Sequence, residues 1–293
     1  PTAKAHGPSR PGMDDLRRAR RTPVGYISRN SPLSNRLSAG PSSHRQLMSA
    51  PRFAPEVEAA HRRVDVDDWH GIYVVGDVHG CRRELDALLD VLGVTAEDLV
   101  VFVGDLVRKG PDSHGVIERV RSAPNMLSVR GNNEEKVLRG DADPSDLTVA
   151  DREWIAGLPL VISFADALVA HAGIDPRKPF RAQTVEDLQT VRSLTDDDYA
   201  RPLWFDEWAG PRTVFFGHTP LSSPIDRPHA IGLDTGCVYG GALTAYDWHA
   251  GRFVQVDPER TVTHRPDSKF VTPRFDGAER SPTPASGTDH RCR

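Results

Sequence analysis

The segment GIYVVGDVHG, residues 71–80, decides the fold of this chain. It begins as a continuous apolar run rich in β-branched residues and stops at a tight turn that carries an aspartate and a histidine. Runs of this kind are typical of strands that are buried on both faces of a sheet. The segment therefore predicts a buried strand whose end presents polar side chains.

The same pattern returns four times along the chain. Apolar runs end at small polar turns in LVVFVGDLVRKG (99–110), NMLSVRGNNE (125–134), DALVAHAG (166–173) and RTVFFGHTP (212–220). Between the early runs, apolar residues recur at helical spacing, as in Leu85, Leu88, Leu89 and Leu92, and again in Val116, Ile117 and Val120. This alternation of strand, turn and helix predicts a single α/β domain with a mixed sheet. The later stretch IGLDTGCVYGGALTAYDW (231–248) predicts two more strands joined by a glycine-rich turn.

Six residues at the predicted strand ends form one candidate site. They are Asp77, His79, Asp105, Asn132, His171 and His218. Ligands of α/β sheets collect beyond the carboxyl ends of the strands. Carboxylate and imidazole are ligands expected for Mn, Fe or Zn, and a neutral amide oxygen suits a hard cation. Five separate strand ends that each deliver a ligand-type residue indicate a metal centre rather than five unrelated turns.

The motifs GDVHG, GDLVRKG, RGNNE, HAG and FGHTP, in this order, resemble the calcineurin-like metallophosphoesterases, and within them the phosphoprotein phosphatase branch. The resemblance covers about residues 71–247. GDLVRKGPDS and GLDTGCVYGGALTAY are more similar to the bis(5'-nucleosyl)-tetraphosphatase group and to related bacterial Ser/Thr protein phosphatases than to eukaryotic protein phosphatases. The resemblance implies a four-layer α/β/β/α sandwich of mixed sheets, the metallo-dependent phosphatase fold.

The resemblance also implies two divalent metal ions, with Mn favoured and Fe, Zn or Co as alternatives. Asp77 and His79 would bind the first ion, Asp105 would bridge both, and the other three residues of the set would complete the second site. The implied reaction is hydrolysis of a phosphoanhydride or phosphomonoester by metal-bound hydroxide. A phosphorylated small molecule such as a dinucleoside polyphosphate is the favoured substrate, and a phosphoprotein is the alternative.

The pattern departs from the family at the residues that handle the leaving group. Asn133 stands where the family has a histidine that protonates the departing oxygen. Arg108 stands where an aspartate would orient that histidine, and Lys109 stands where an arginine usually contacts phosphate. An amide has no usable pKa, so Asn133 can donate a hydrogen bond but cannot deliver a proton.

Three explanations of this departure remain open at the level of sequence. The substrate has a leaving group that needs no acid, and Arg108 and Lys109 add positive charge for a polyanion. Alternatively, another histidine such as His114 or His229, both predicted in loops, replaces the acid. The third explanation is a slow or inactive pseudophosphatase that keeps its metals and serves as a binding module.

Other residues carry weaker predictions. Arg192 follows a predicted helix and is a candidate phosphate ligand, and Tyr239 is a candidate to overhang the site from the glycine-rich turn. Glu134 opens a helix, where a carboxylate favours the positive end of the dipole, so capping is its expected role. Trp204 and Trp208 are expected to pack in the core rather than to stack on a nucleobase.

The composition of the ends sets the expected domain boundaries. The chain has 293 residues and a net charge of −4, yet residues 1–52 carry ten Lys or Arg against two Asp. Such a segment buries too little apolar surface to offset its ordering entropy. We therefore expect a disordered basic arm over residues 1–63, a catalytic domain over 64–262 and a disordered tail over 263–293.

Composition also limits the partners and the compartment. No apolar run is long enough to span a bilayer, so a membrane partner is not expected. Cys81, Cys237 and Cys292 show no paired or metal-type spacing, which favours the reducing cytoplasm. Nucleic-acid binding by the basic arm is not favoured, because a solvated tail explains the same charges.

Overall fold

The computed structural model describes residues 51–273, so the greater parts of the predicted arm and tail, residues 1–50 and 274–293, lie outside the described residues. The strands are β1 (His61–Val64), β2 (Gly71–Val75), β3 (Asp98–Phe102), β4 (Met126–Ser128), β5 (Val161–Phe164), β6 (Ala167–Ala170), β7 (Thr213–Phe216), β8 (Ile225–Arg227), β9 (Ala230–Gly232), β10 (Leu243–Asp247) and β11 (Arg252–Val256). The α-helices are α1 (Pro55–Ala59), α2 (Arg82–Leu92), α3 (Ser113–Arg121), α4 (Asn132–Arg139), α5 (Val149–Ala156), α6 (Val185–Thr190) and α7 (Trp204–Glu207).

The strands form two mixed sheets. One sheet has five strands in the order β11-β10-β2-β3-β4, with β2, β3 and β4 parallel and β10 antiparallel to β2. The other has six strands in the order β1-β5-β6-β7-β9-β8, with β6, β7 and β9 parallel. Because parallel neighbours end at the same edge, each sheet has a set of carboxyl ends on one side.

Three apolar clusters separate four layers. Alternate residues of β2 and β3, such as Ile72 and Leu99, point between the sheets and meet residues of the second sheet such as Phe215. The opposite faces of the same strands, with Val75 and Phe102, pack against α2, α3 and α5. The outer face of the six-stranded sheet packs against α1, α6 and α7. Three cores between helices, sheet, sheet and helices confirm the expected α/β/β/α sandwich.

The folded domain extends beyond the expected boundaries at both ends. Phe53 and α1 are part of the core beneath the six-stranded sheet, and β1 pairs with β5, so residues 53–63 are not a disordered arm. At the other end Val271 is buried in the same core and forms a bridge with Leu221. The composition of these segments concealed them, because one or two apolar anchors among polar residues give no periodicity.

The topology shows where the strands predicted within residues 231–248 and the two candidate acid histidines lie. The strands predicted within residues 231–248 are β9 and β10, but they lie in different sheets and the glycine-rich turn crosses between them. His114 lies in helix α3 rather than in a loop, whereas His229 lies in a turn. No helix within residues 51–273 has both the length and the apolar character needed to cross a bilayer.

Candidate metal centre and active site

All six residues of the predicted metal set lie just beyond the ends of five strands and meet at one place. His79 Nε2 lies 3.8 Å from Asp77 Oδ2 and 3.5 Å from Asp105 Oδ2. The other oxygen of the same carboxylate, Asp105 Oδ1, lies 3.3 Å from His171 Nε2. Asp105 therefore presents one oxygen to each of two groups of side chains.

The second group is completed by an amide and another imidazole. Asn132 Oδ1 lies 3.0 Å from His171 Nε2 and 3.3 Å from His218 Nδ1. The rings of His171 and His218 meet edge to face with centroids 5.2 Å apart. The six residues grouped from the sequence are thus brought together at one place.

The backbone at these strand ends is strained. The non-glycine residues with left-handed φ at this edge are His79 at 49°, Asp105 at 51°, Arg108 at 72°, Lys109 at 68° and His218 at 63°. Within residues 51–273 one further non-glycine residue, Ala165 at 46° in the turn between β5 and β6, has such a φ away from the site. Such a conformation costs on the order of 1–3 kcal/mol for each residue and persists only where the surroundings impose it. Strain concentrated in three of the five motifs marks this edge as a functional site.

Two glycines allow the loops to approach the carboxylates. A Cβ at Gly217 would lie 1.9 Å from Asp77 Oδ1, and one at Gly131 would lie 2.4 Å from Asp105 Oδ1. Any side chain at either position would displace a carboxylate. The glycines of the FGHTP and RGNNE motifs are therefore required by close packing.

Glu134 holds the loops in place from the start of α4. Its side chain is completely buried, and its two oxygens accept four backbone N–H groups, from Gly131, Asp105, Leu106 and Val107, at 2.8 to 3.2 Å. The expected capping role is confirmed in part, because the carboxylate caps its own helix at Gly131. The other three donors come from the GDLVRKG loop, which the sequence did not indicate.

Burial keeps the imidazoles of His79 and His218 neutral. Burial and the adjacent Lys109 lower the pKa of His79 to about 3. Burial, His171 and Arg192 lower the pKa of His218 well below its ordinary value. A neutral imidazole is the form that coordinates a metal ion.

The carboxylates differ in their electrostatic surroundings. Burial raises the pKa of Asp77, and the nearby charges of Asp234 and Asp105 raise it further. Burial also opposes ionisation of Asp105, but the adjacent imidazoles, the Lys109 ammonium and the Asn133 backbone N–H together outweigh that effect and lower its pKa. Three buried carboxyl groups so close together repel one another, and a bound cation would relieve that repulsion.

The donor set fits divalent metal ions. Ligand atoms of Asp77, Asp105 and His171 all lie within 4.8 Å of one another. The oxygen of Asn132 faces the acceptor atoms of Asp105 and His171, although a reversed amide would instead donate its N–H to these atoms. Carboxylate, imidazole and amide oxygen are the ligands that Mn, Fe and Zn accept.

Asn133 and Arg108 form a hydrogen bond with each other at the positions where the family pattern has a histidine acid and an aspartate. Arg108 donates from its guanidinium to Asn133 Oδ1 at 2.5 Å, and the Asn133 amide donates to Asp105 Oδ2. The Asn133 backbone N–H also donates to Asp105 Oδ1 at 2.9 Å. The two departures from the family pattern therefore belong together, since the amide accepts from the arginine and donates to the carboxylate.

A positively charged cavity of about 280 Å³ opens over the site. Cationic side chains in its wall are Arg108, Lys109, Lys136, Arg192 and Arg265. Lys109 Nζ lies 2.7 Å from His79 Nε2, and Arg192 donates towards His218 Nε2 at 2.9 Å. Tyr239 also lines the cavity, so the structure places both candidate substrate residues, Arg192 and Tyr239, at its mouth.

The candidate replacement acids lie elsewhere. His114 pairs with Asp151 of α5 at 2.7 Å, and His229 lies beside Gly210. Neither histidine contributes to the wall of the cavity. Trp204 is completely buried and Trp208 packs against the same core, as expected for structural residues.

Sequence reasoning missed five residues of the cavity, which are Lys136, Tyr199, Pro220, Asp234 and Arg265. Asp234 is buried in its floor directly after β9 and Leu233, and burial raises its pKa. An acidic residue just past a strand was the same signal that identified Asp77 and could have found it. Tyr199 and Arg265 also line the cavity, but they lie in irregular segments with no such signal.

Comparisons with known proteins agree with this geometry. The family model of the calcineurin-like phosphoesterases matches residues 70–256. The asymmetrical bis(5'-nucleosyl)-tetraphosphatase PrpE of Bacillus subtilis is 30% identical over 67% of this chain and 97% of its own length. The serine/threonine-protein phosphatase 1 of Salmonella typhimurium is 29% identical over 64% of this chain and 96% of its own length. A crystal structure of a proposed diadenosine tetraphosphatase superimposes with a TM-score of 0.61 and 32% identity, over 68% of this chain and 98% of that one.

Proposed function

The chain belongs to the calcineurin-like phosphoesterase family and is a phosphoester or phosphoanhydride hydrolase, and on that premise we propose that it cleaves the phosphoanhydride of a dinucleoside polyphosphate with two divalent metal ions. The observation that carries the proposal is the position of the cationic wall next to Asn133 and Arg108, which stand where the family pattern has the proton-donating histidine and its aspartate. The alternative is a Ser/Thr protein phosphatase, which the relative from Salmonella typhimurium favours.

Asp105 is the residue on which the dinuclear arrangement depends. Its Oδ2 faces His79 and its Oδ1 faces His171, so one carboxylate would bridge two ions. Asp77 and His79 would complete the first site, and Asn132, His171 and His218 the second. When bound, two such ions activate a water molecule and offset the charge of the phosphoryl group. Mn is our favoured metal, and Fe, Zn or Co would suit the same ligands.

The residues of the wall would bind and orient the phosphate chain. Lys109 and Arg192 lie against the two ends of the ligand set, at His79 and His218, where they would contact the phosphoryl group under attack. Arg108, held by Asn133, would add a third positive charge on the leaving-group side. Charge-assisted hydrogen bonds from such groups are suited to a polyanion and would stabilise charge that develops in the transition state.

The replacement of the histidine acid by Asn133 favours one substrate class over the other. A positioned general acid contributes typically ~10²–10⁴-fold, and it matters most when the leaving group is strongly basic. A serine or threonine alkoxide is such a group, whereas a nucleotide phosphate leaves as a stable anion. His114 and His229 do not line the cavity, which favours a substrate that needs no acid over a substitute histidine.

The first test is turnover of three compounds in Mn²⁺: diadenosine tetraphosphate, p-nitrophenyl phosphate and a phosphothreonine peptide. We expect rapid cleavage of the anhydride and little cleavage of the peptide, and loss of both with Asp105→Asn. Efficient peptide cleavage would favour the protein phosphatase. No metal-dependent turnover of any compound would favour a metal-binding pseudophosphatase.

A leaving-group series tests the reason for this preference. With aryl phosphates of graded phenol pKa, log kcat/KM of the wild type should fall steeply as the leaving group becomes more basic. The double variant Arg108→Asp/Asn133→His restores an acid and its partner, so the slope should become shallower and the peptide rate should rise by up to ~10²-fold. An equally steep slope in both proteins would count against our account of Asn133.

A further inference from the structure

The segment after β11 lies over the mouth of the site. This C-terminal strap, residues 257–273, falls beyond the family match, which ends at residue 256. Near its start, the backbone N–H groups of Val262 and Thr263 donate to the carbonyl of Val238 at 3.2 and 2.9 Å, and the Thr263 hydroxyl donates to the carbonyl of Lys109 at 3.1 Å. The strap is thus attached directly to the GDLVRKG loop.

The other end of the strap is attached to the opposite side of the cavity. Val271 donates its N–H to the carbonyl of Pro220 at 2.8 Å and bridges Leu221, next to the FGHTP motif. The ring of Phe270 meets that of Tyr239 edge to face with centroids 6.1 Å apart. Anchors on both sides hold the middle of the strap, where Arg265 lies, across the opening.

Arg265 is the central member of a row of alternating cations and tyrosine rings. Its guanidinium carbon lies 6.0 Å from the ring centroid of Tyr199 and 5.2 Å from that of Tyr239. The guanidinium carbon of Arg192 lies 4.9 Å from the ring centroid of Tyr199, and Lys109 Nζ lies 5.3 Å from that of Tyr239. The row therefore runs from Arg192 beside His218, through Arg265 of the strap, to Lys109 beside His79, with a tyrosine ring between each pair of cations.

Arg265 forms no salt bridge with a carboxylate within residues 51–273, although its charge acts at longer range on Asp234 in the same cavity and opposes the rise in the pKa of that carboxyl. The side chain is half-buried and donates to the Tyr199 hydroxyl at 2.5 Å and weakly to the Lys269 carbonyl at 3.5 Å. Its Nε is buried without a hydrogen-bond partner. A half-buried guanidinium held between two rings and lining an anion-binding cavity is prepared for a ligand that supplies oxygens.

We propose that Arg265 binds a phosphate of the substrate other than the one being hydrolysed, so that the strap selects polyphosphates over single phosphates. This inference rests on the proposed function and names the part of the substrate that the strap recognises. Lys109 contacts His79, and Arg192 contacts His218. Arg265 is separated from Lys109 by the ring of Tyr239 and from Arg192 by the ring of Tyr199. A phosphate at Arg265 would therefore belong to the chain that leads away from the reacting centre.

Binding measured by calorimetry tests the proposal without turnover. The titrants, in fixed Mn²⁺, are a methylene-bridged, hydrolysis-resistant analogue of diadenosine tetraphosphate and AMP as a single-phosphate comparison. Loss of one charge-assisted contact weakens binding by about 10- to 100-fold, so Arg265→Ala should raise the Kd of the analogue by that factor and leave the Kd of AMP unchanged. Arg265→Lys keeps the charge and should recover part of the loss.

Arg260→Ala is the matched control, because Arg260 lies on the same strap but lines a different cavity. It should change neither Kd, and melting curves should show that all three variants remain folded. The proposal is overturned if Arg265→Ala weakens both ligands equally, if it changes neither, or if the wild type binds the analogue no better than AMP. Turnover of diadenosine tetraphosphate itself, measured separately, tests the proposed function: wild-type discrimination without turnover would leave the strap's role standing and remove the proposed reaction.

Discussion

Replacement of Glu134 by glutamine should destabilise the protein, because this side chain holds two loops of the site together. Both carboxylate oxygens of Glu134 accept two backbone N–H groups each, and the side chain has no exposure to water. A glutamine keeps one oxygen, but its NH₂ group must face two N–H donors. Glu134→Gln therefore removes two hydrogen bonds to a charged acceptor and leaves two buried donors unpaired.

The magnitude follows from those two bonds. Burial and Asp105 raise the pKa of Glu134 to about 7, so the measurement belongs at pH 8, where the carboxylate is mostly ionised. Hydrogen bonds to charged groups contribute about 1.5–3 kcal/mol each, so two lost bonds amount to about 3–6 kcal/mol. The neutral glutamine also relieves the burial and repulsion that raise the pKa of Glu134, which offsets about 3 kcal/mol, so the net decrease in the free energy of unfolding should be about 1–3 kcal/mol. That is a measurable part of the ~5–15 kcal/mol by which domains are stable, and it corresponds to a decrease in Tm of roughly 2–12 °C.

The assay is urea denaturation followed by circular dichroism, with Mn²⁺ titrations of the folded variants. Glu118→Gln on α3 is a control on an exposed helical position and should leave the stability unchanged. Because three of the four donors belong to the loop that carries Asp105, Glu134→Gln should also weaken metal binding. A variant with wild-type stability at pH 8 would refute the account of Glu134 as the acceptor that holds both loops.

Other predictions concern pH, metal and the core. Burial and Arg63 lower the pKa of His61 in the folded protein to about 4, from an ordinary value of about 6.5. As the pH falls below about 6.5, His61 therefore takes up a proton in the unfolded chain before it does so in the folded one. The free energy of unfolding should decrease by up to about 2 kcal/mol between pH 7 and 5. Urea denaturation at both pH values should show a shallower pH dependence in His61→Gln, and equal slopes would contradict the assignment. Asp105→Asn should reduce bound metal, measured by mass spectrometry, from two ions per chain to one or none, and should reduce kcat/KM by more than ~100-fold; two retained ions would argue against the bridging role. Trp204→Ala should lower the free energy of unfolding by ~3–5 kcal/mol with little change in KM, whereas a selective rise in KM for nucleotide substrates would mean that the ring contacts a base.

The local pattern of apolar and turn residues in the sequence predicts much of the fold correctly. The strands predicted at 71–75, 99–103 and 125–129 are β2, β3 and β4 within one residue, because a run of β-branched residues between turn signals encodes its own conformation. The helix expected around Leu85 is α2. Where the apolar signal was sparse, as around Phe53 and Val271, the boundaries were wrong, because those segments are ordered only by the core that they join.

The residues that meet at the site are predictable from the sequence, because each lies a fixed few positions beyond a strand and parallel strands end at a common edge. The inability of Asn133 to deliver a proton is predictable as well, since it depends on the chemistry of an amide alone. Three contacts are visible only in the folded chain: Arg108 holds Asn133, Glu134 binds two loops, and Arg265 completes the row of cations and tyrosines. These contacts join segments that are remote in sequence, and side-chain hydrogen bonds and ring contacts have no period for a linear pattern to display.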